Sequence, residues 1–167
     1  SVDDPVIKHL PDFRLIGISD MESIKIHHLL THTTGLAPMF RREELKKLKH
    51  HIAYLAEKDY EKLGAPGEFF SYCNDTFLLL GAIIEKYTGK LYRRHVTEAI
   101  LNPLKMYRST LSIDELYKYE NVSIPYDYNK KTGQLEEKPW PNIGNYEIGG
   151  GIRSTVIDLL EYGQVYI

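Results

Sequence analysis

The chain has 167 residues, 43% hydrophobic, 26% charged and 11% aromatic, a globular composition that excludes disorder, collagen and coiled coil. The 21 Lys and Arg stand against 23 Asp and Glu, a net charge of −2, so no general basic field exists to neutralise phosphates, and nucleic acid is set aside as a partner. The longest run free of charged or strongly polar side chains, Phe77 to Ile84, is far short of the ~20 residues of a membrane span, so no transmembrane segment is expected in this chain. Ser1-Val-Asp-Asp-Pro5 lacks the basic and apolar regions of a signal peptide. The lone Cys73 excludes an internal disulfide framework and leaves the compartment open.

Ser1 to Ile18, with two prolines and short apolar groups, reads as a surface connection. From Met21 the pattern turns helical, with Ile24, Ile26, Leu29 and Leu30 within two turns and Gly35 placed as a left-handed cap. Arg41 to Lys62 reads as the clearest amphipathic helix. Its stripe of Leu45, Leu48, Ile52 and Leu55 would face a core, with His50-His51 on a solvated face. After the turn Gly64-Ala-Pro-Gly67, a buried central helix is expected from Asp75 to Tyr87, capped by Gly89. A further helix from Leu91 to Leu101 ends before Pro103. Alternation over Asn121 to Tyr128, then Asn129-Lys-Lys-Thr-Gly133, signals a hairpin or irregular excursion. Gly149-Gly-Gly151 marks a tight stretch, and Thr155 with Asp158 resembles a capping box that opens a last helix to about Tyr166.

Four segments taken in order carry more than any one alone. They are His28-Leu-Leu-Thr-His-Thr-Thr-Gly-Leu36, Pro66-Gly-Glu-Phe-Phe-Ser-Tyr-Cys-Asn74, Leu79-Leu-Gly-Ala-Ile-Ile-Glu-Lys-Tyr-Thr-Gly-Lys90 and Gly150-Gly-Ile-Arg-Ser-Thr-Val-Ile-Asp158. This series resembles the serine β-lactamase and penicillin-binding-protein superfamily, in its class C-like branch, over nearly the whole chain. The opening Ser1-Val-Asp-Asp-Pro-Val6 resembles the segment after that family's nucleophile helix. The resemblance implies a mainly α fold with a small β hairpin, the helical lobe of a two-lobe α/β hydrolase. Residues 1–167 would form a single compact piece of that larger domain.

Such enzymes combine a Ser-x-x-Lys nucleophile pair, a Tyr-x-Asn and a Lys/His-Ser/Thr-Gly strand. The resemblance implies that Tyr72 is the catalytic proton shuttle and that Asn74 binds the substrate amide. Cys73 stands where Ser or Ala is common. Without the flanking pattern, Tyr72 would read as a half-buried aromatic and Asn74 as a helix cap. No serine in the chain has lysine three residues later. Lys131-Thr-Gly133 imitates the third motif, but it sits in a polar turn ahead of the glycine cluster, on the wrong side of it for the family order. The implied parent function is amide or ester hydrolysis through an acyl-serine, on D-Ala-D-Ala peptides, β-lactams or small esters, with no cofactor. These 167 residues alone would be inactive, because a general base cannot form an acyl-enzyme without its nucleophile.

The rival expectation is a complete, non-catalytic module that binds a peptide or partner through the same cleft or through the Arg41–Lys62 helix. A surface left uncovered by a missing sheet lobe would favour a homodimer. Most relatives in such a family are bacterial and face the cell envelope or medium, although nothing in these residues decides against the cytoplasm. His28 and His32 stand at a zinc-compatible spacing, but Leu29 follows His28 and Glu43 and Glu44 lie beyond a Gly-Pro break, so no metal is expected. Six tyrosines between Tyr107 and Tyr146 would serve a carbohydrate or peptide surface or the packing of the hairpin equally well.

Overall fold

The computed structural model describes residues 1–39, 41–42 and 44–167. Helices α1 (Val6–His9), α2 (Ile26–Leu30), α3 (Leu48–Glu57), α4 (Asn74–Thr88) and α5 (Tyr92–Val96) precede α6 (Ile113–Leu116), α7 (Glu147–Gly150) and α8 (Val156–Gly163). Strands β1 (Tyr126–Asn129) and β2 (Gln134–Glu137) form one antiparallel hairpin, with Tyr128 opposite Leu135. The architecture is mainly helical with a small β excursion.

The apolar run of α4 makes it the hub. Leu78, Leu79 and Ala82 are buried, and the helix packs against α2, α3, α5 and α7. It ends at Gly89, whose φ of 65° is the left-handed conformation that glycine adopts without a Cβ penalty, and the Gly89 N–H donates to the Glu85 carbonyl at 2.9 Å. Gly81 has a different reason to be glycine. A Cβ there would run into the Ile148 side chain, so its absence lets α7 approach α4 closely. Val96, Leu101, Met106 and Leu111 form a second, smaller core beyond α5.

The structure corrects the sequence expectations at several points. Ser1 to Ile18 is no surface connection: Val6, Phe13 and Leu15 are buried, and the Val6 N–H donates to the Ile24 carbonyl at 2.8 Å while the Ile26 N–H donates to the Asp4 carbonyl at 3.1 Å. That pairing takes Ile24 and Lys25 out of the helical ladder, so the single helix expected from Met21 is a 3₁₀ turn at Met21–Ser23 followed by α2. Gly35 does not cap it. The chain instead reverses at His32, with φ 55°, and Gly35 (φ 79°) sits further along against the Gly64 carbonyl.

The amphipathic helix covers Leu48–Glu57, much less than Arg41 to Lys62. On its N-terminal side the Leu45 carbonyl accepts from Asn145 Nδ2 at 2.6 Å and the Arg42 N–H donates to Tyr146 Oη at 2.8 Å. On the other side Lys62 bridges Leu36. These tertiary hydrogen bonds replace helical ones. His51 is not on a solvated face: it is 1% exposed. It stands three residues after Leu48 and four before Leu55, on the stripe those residues define.

The expected helix to Leu101 continues past Val96 as a wider π turn, Thr97–Leu101. Only half of the expected capping box forms at α8. Thr155 Oγ1 accepts the Asp158 N–H at 3.2 Å, but the Asp158 carboxylate turns instead to the Arg108 N–H and the Ser109 hydroxyl, at 2.9 and 2.8 Å. Lys131-Thr-Gly133 is the hairpin turn, with Gly133 donating to the Asn129 carbonyl at 2.8 Å. Among the described residues no helix is long and apolar enough to cross a membrane.

Candidate active site

The segment before α4 runs extended, so its side chains alternate between the two sides. Phe70 is exposed, Ser71 buried, Tyr72 52% exposed and Cys73 1% exposed. The alternation hands Tyr72 to a cleft and Cys73 to the core. Burial pushes the Cys73 thiol above its ordinary pKa, which keeps it protonated and packed. Asn74 opens the first turn of α4. Both Tyr72 and Asn74 line a cleft of about 560 Å³, with Gly149 and Gly150 of α7 on its floor. A Cβ on Gly149 would lie 3.4 Å from Asn74 Oδ1, so glycine leaves that amide free space.

Behind this wall lies a buried cluster that the sequence did not announce. Asp75, with no exposed surface, accepts the Tyr146 hydroxyl at 2.9 Å and pairs with His51 Nε2 at 2.6 Å, all on Oδ1. Tyr146 in turn accepts the Arg42 N–H and lines the cleft. One carboxylate therefore joins α3, α4 and the turn leading into α7. Burial, together with the Asp75 charge, holds the Tyr146 phenol well above the usual tyrosine range, so Tyr146 stays protonated. Burial does the same to Tyr60. His51 Nδ1, Asp75 Oδ2 and Tyr60 Oη have no hydrogen-bond partner among the described residues. The signal for His51 was its place on the α3 stripe. Tyr146 lies in an irregular segment that gave none.

The cleft lining includes Arg41, Arg108 and Arg153 but no carboxylate among the described residues. Arg153 is fixed by the Gly151 carbonyl at 2.7 Å, with its guanidinium 5.6 Å from the Trp140 ring. A chain of net charge −2 thus presents a cationic cleft. The two histidines considered for zinc have their Nδ1 atoms occupied. His28 accepts the Lys25 N–H at 3.1 Å and His32 the Cys73 N–H at 3.2 Å. Glu44 pairs with Arg42, and Glu43 lies outside the described residues. Among the described residues no group of three or more His, Cys, Asp or Glu is placed to hold a metal.

Residues 1–166 match the protein family described as Beta-lactamase. The chain belongs to the beta-lactamase family. A solved penicillin-binding protein homologue from Pyrococcus abyssi, described as octameric, superposes with a TM-score of 0.83 at 31% identity, over 99% of this chain and 39% of that one. A class C beta-lactamase gives a TM-score of 0.68 at 30% identity, over 98% of this chain and 43% of that one. Among curated relatives, Protein flp of Staphylococcus aureus (strain MW2) is 30% identical over 149 residues, which make up 86% of this chain and 29% of that protein. The chain spans less than half the length of each of these relatives. Its fold is that of beta-lactamase-family serine hydrolases and penicillin-binding-protein homologues.

Proposed function

We propose that this chain supplies the proton-shuttle wall of a beta-lactamase-family serine hydrolase. The observation that carries the reading is the placement of Tyr72 and Asn74 side by side on one cleft in a chain that matches the family from end to end. Tyr72 accepts the proton of a serine hydroxyl as it attacks an amide or ester carbonyl, then delivers it to the leaving nitrogen or oxygen as that bond breaks. In the second half Tyr72 takes a proton from water as the acyl-serine is hydrolysed and returns it to the serine. Asn74 donates to the carbonyl of the substrate's acyl-side amide.

Arg41, Arg108 and Arg153 line the same cleft as Tyr72, with no carboxylate among its described lining residues. Two other phenols line the cleft, and both commit their protons elsewhere: Tyr119 donates to the Tyr107 carbonyl and Tyr146 to Asp75, each at 2.9 Å. The serine nucleophile and the strand that binds the substrate carboxylate come from chain beyond these 167 residues. Candidate substrates are D-alanyl peptides, β-lactams and small esters, and the isolated 167 residues have no hydrolytic activity. The apolar residues exposed along α8 and beyond it, among them Val156, Ile157, Leu160 and Val165, are the surface through which a second copy would pair.

The test is steady-state kinetics of the whole protein on a chromogenic β-lactam, a D-alanyl amide and a nitrophenyl ester. Tyr72→Phe should lower kcat/KM by ~100-fold or more on the substrate that is turned over, as loss of a general base does. Asn74→Ala should raise KM on amides more than on simple esters. Binding without turnover of any of the three would favour the non-catalytic module instead.

A further inference from the structure

The shuttle reading leaves His32 without a task, yet His32 touches the Tyr72 segment in three ways. Its carbonyl accepts the Ser71 N–H at 2.8 Å and its Nδ1 accepts the Cys73 N–H at 3.2 Å, so the residues on either side of Tyr72 both hang from it. Its ring centroid lies 4.2 Å from that of Tyr72 and 5.3 Å from that of Phe77, the latter stacked at 21°. The backbone of His32 is left-handed at φ 55°, a region that residues other than glycine seldom occupy, and that reversal turns carbonyl and ring toward the same segment.

We propose that His32 is a positioning residue for Tyr72, and that it works only as the neutral imidazole carrying its proton on Nε2. The proposal rests on the shuttle reading of Tyr72 given above. An Nδ1 that accepts an amide N–H must hold its lone pair, which leaves Nε2 for the ring proton. Protonation at Nδ1 would set two donors face to face, break the Cys73 bond and place a cation against the Tyr72 ring. The rings packed on His32 come from Phe70, Tyr72 and Phe77, of which Tyr72 alone carries an ionisable group. No ion pair engages the imidazole among the described residues.

The whole protein carries the test, with wild type, Tyr72→Phe and His32→Asn compared. Asn tolerates a left-handed backbone and can offer Oδ1 to the Cys73 N–H, so His32→Asn keeps the turn while removing the titratable ring. Its kcat should fall about tenfold with KM within about threefold, as a small misplacement of a reacting group does. The acid limb that His32 contributes to the wild-type kcat profile should be missing. Unchanged kcat and an unchanged pH profile in His32→Asn would overturn the proposal.

Nitrogen NMR of labelled histidine in the same protein gives a readout independent of turnover. It should show the Nε2–H tautomer, with the Cys73 amide resonance moving as His32 titrates. An Nδ1–H tautomer, or a Cys73 amide indifferent to that titration, also overturns the proposal. If Tyr72→Phe is as active as wild type, the shuttle reading fails while the ring spectrum still decides whether His32 holds Tyr72.

Discussion

Asp75 shows how much a single buried carboxylate determines here. Its neighbours Tyr72 and Asn74 face the cleft, whereas Asp75 points into the core and collects His51 and Tyr146. Removing it would strand two buried donors, and breaking a buried pair typically costs about 3–5 kcal/mol. Asp75→Ala should therefore lower the urea-unfolding free energy by about 3 kcal/mol or more, with Asp75→Asn milder because it keeps an acceptor. A loss under about 1 kcal/mol would show that the cluster does not hold the wall.

Cys73 offers a second check at this scale. A thiol whose pKa is raised by burial favours the neutral form, so its contribution to stability is present below the usual value of 9.0 and lost as pH rises through the shifted value. At mildly alkaline pH, alkylation should be at least ~100-fold slower in the native protein than in urea, since it must await local opening. Equal rates would place Cys73 on the cleft side of the segment.

Among the elements, those dictated by local chemistry were legible and those decided by distant partners were not. Helix α4 and its Gly89 cap, the β1–β2 hairpin and the start of α8 follow from runs, turns and a capping threonine that act on near neighbours. Helix α3 is shorter than its apolar stripe suggests because its flanking residues hydrogen-bond to Tyr146 and Asn145, about a hundred positions away. His51 departs from its expected solvated face for a related reason: two adjacent histidines look solvated until a buried acid faces one of them.

Helix α2 carries a pH prediction. His28 Nδ1 accepts the Lys25 N–H at the start of that helix, and burial, aided by His27 and Lys25, lowers the His28 pKa from 6.5. Its contribution to stability is thus full above the unfolded value and lost as pH falls through the lowered one, because the unfolded chain then takes up a proton that the folded ring resists. Thermal melts of wild type should fall more steeply between about pH 6.5 and 5 than melts of His28→Asn, which keeps an acceptor but cannot titrate. Parallel slopes would contradict this.

For the whole molecule, the class of fold and the Tyr72–Asn74 wall could be read from four short segments, since each punctuates the backbone in a way that few folds require. The buried second layer of Asp75, His51 and Tyr146 could not, because its members come from three separate elements. The N-terminal segment is likewise illegible from its own residues: the apolar ones are few, but they meet Ile24 and its neighbours across the chain.

The central claim is that this cleft serves an acyl-serine whose serine lies outside residues 1–167. Its most direct test is to trap the whole protein with a slowly released β-lactam or activated ester and map the adduct by peptide mass spectrometry. The account predicts one stoichiometric acyl group on a serine beyond these residues, with none on Tyr72 or Cys73. Stoichiometric acylation of any residue within 1–167, or turnover with no covalent adduct at any time point, would contradict it.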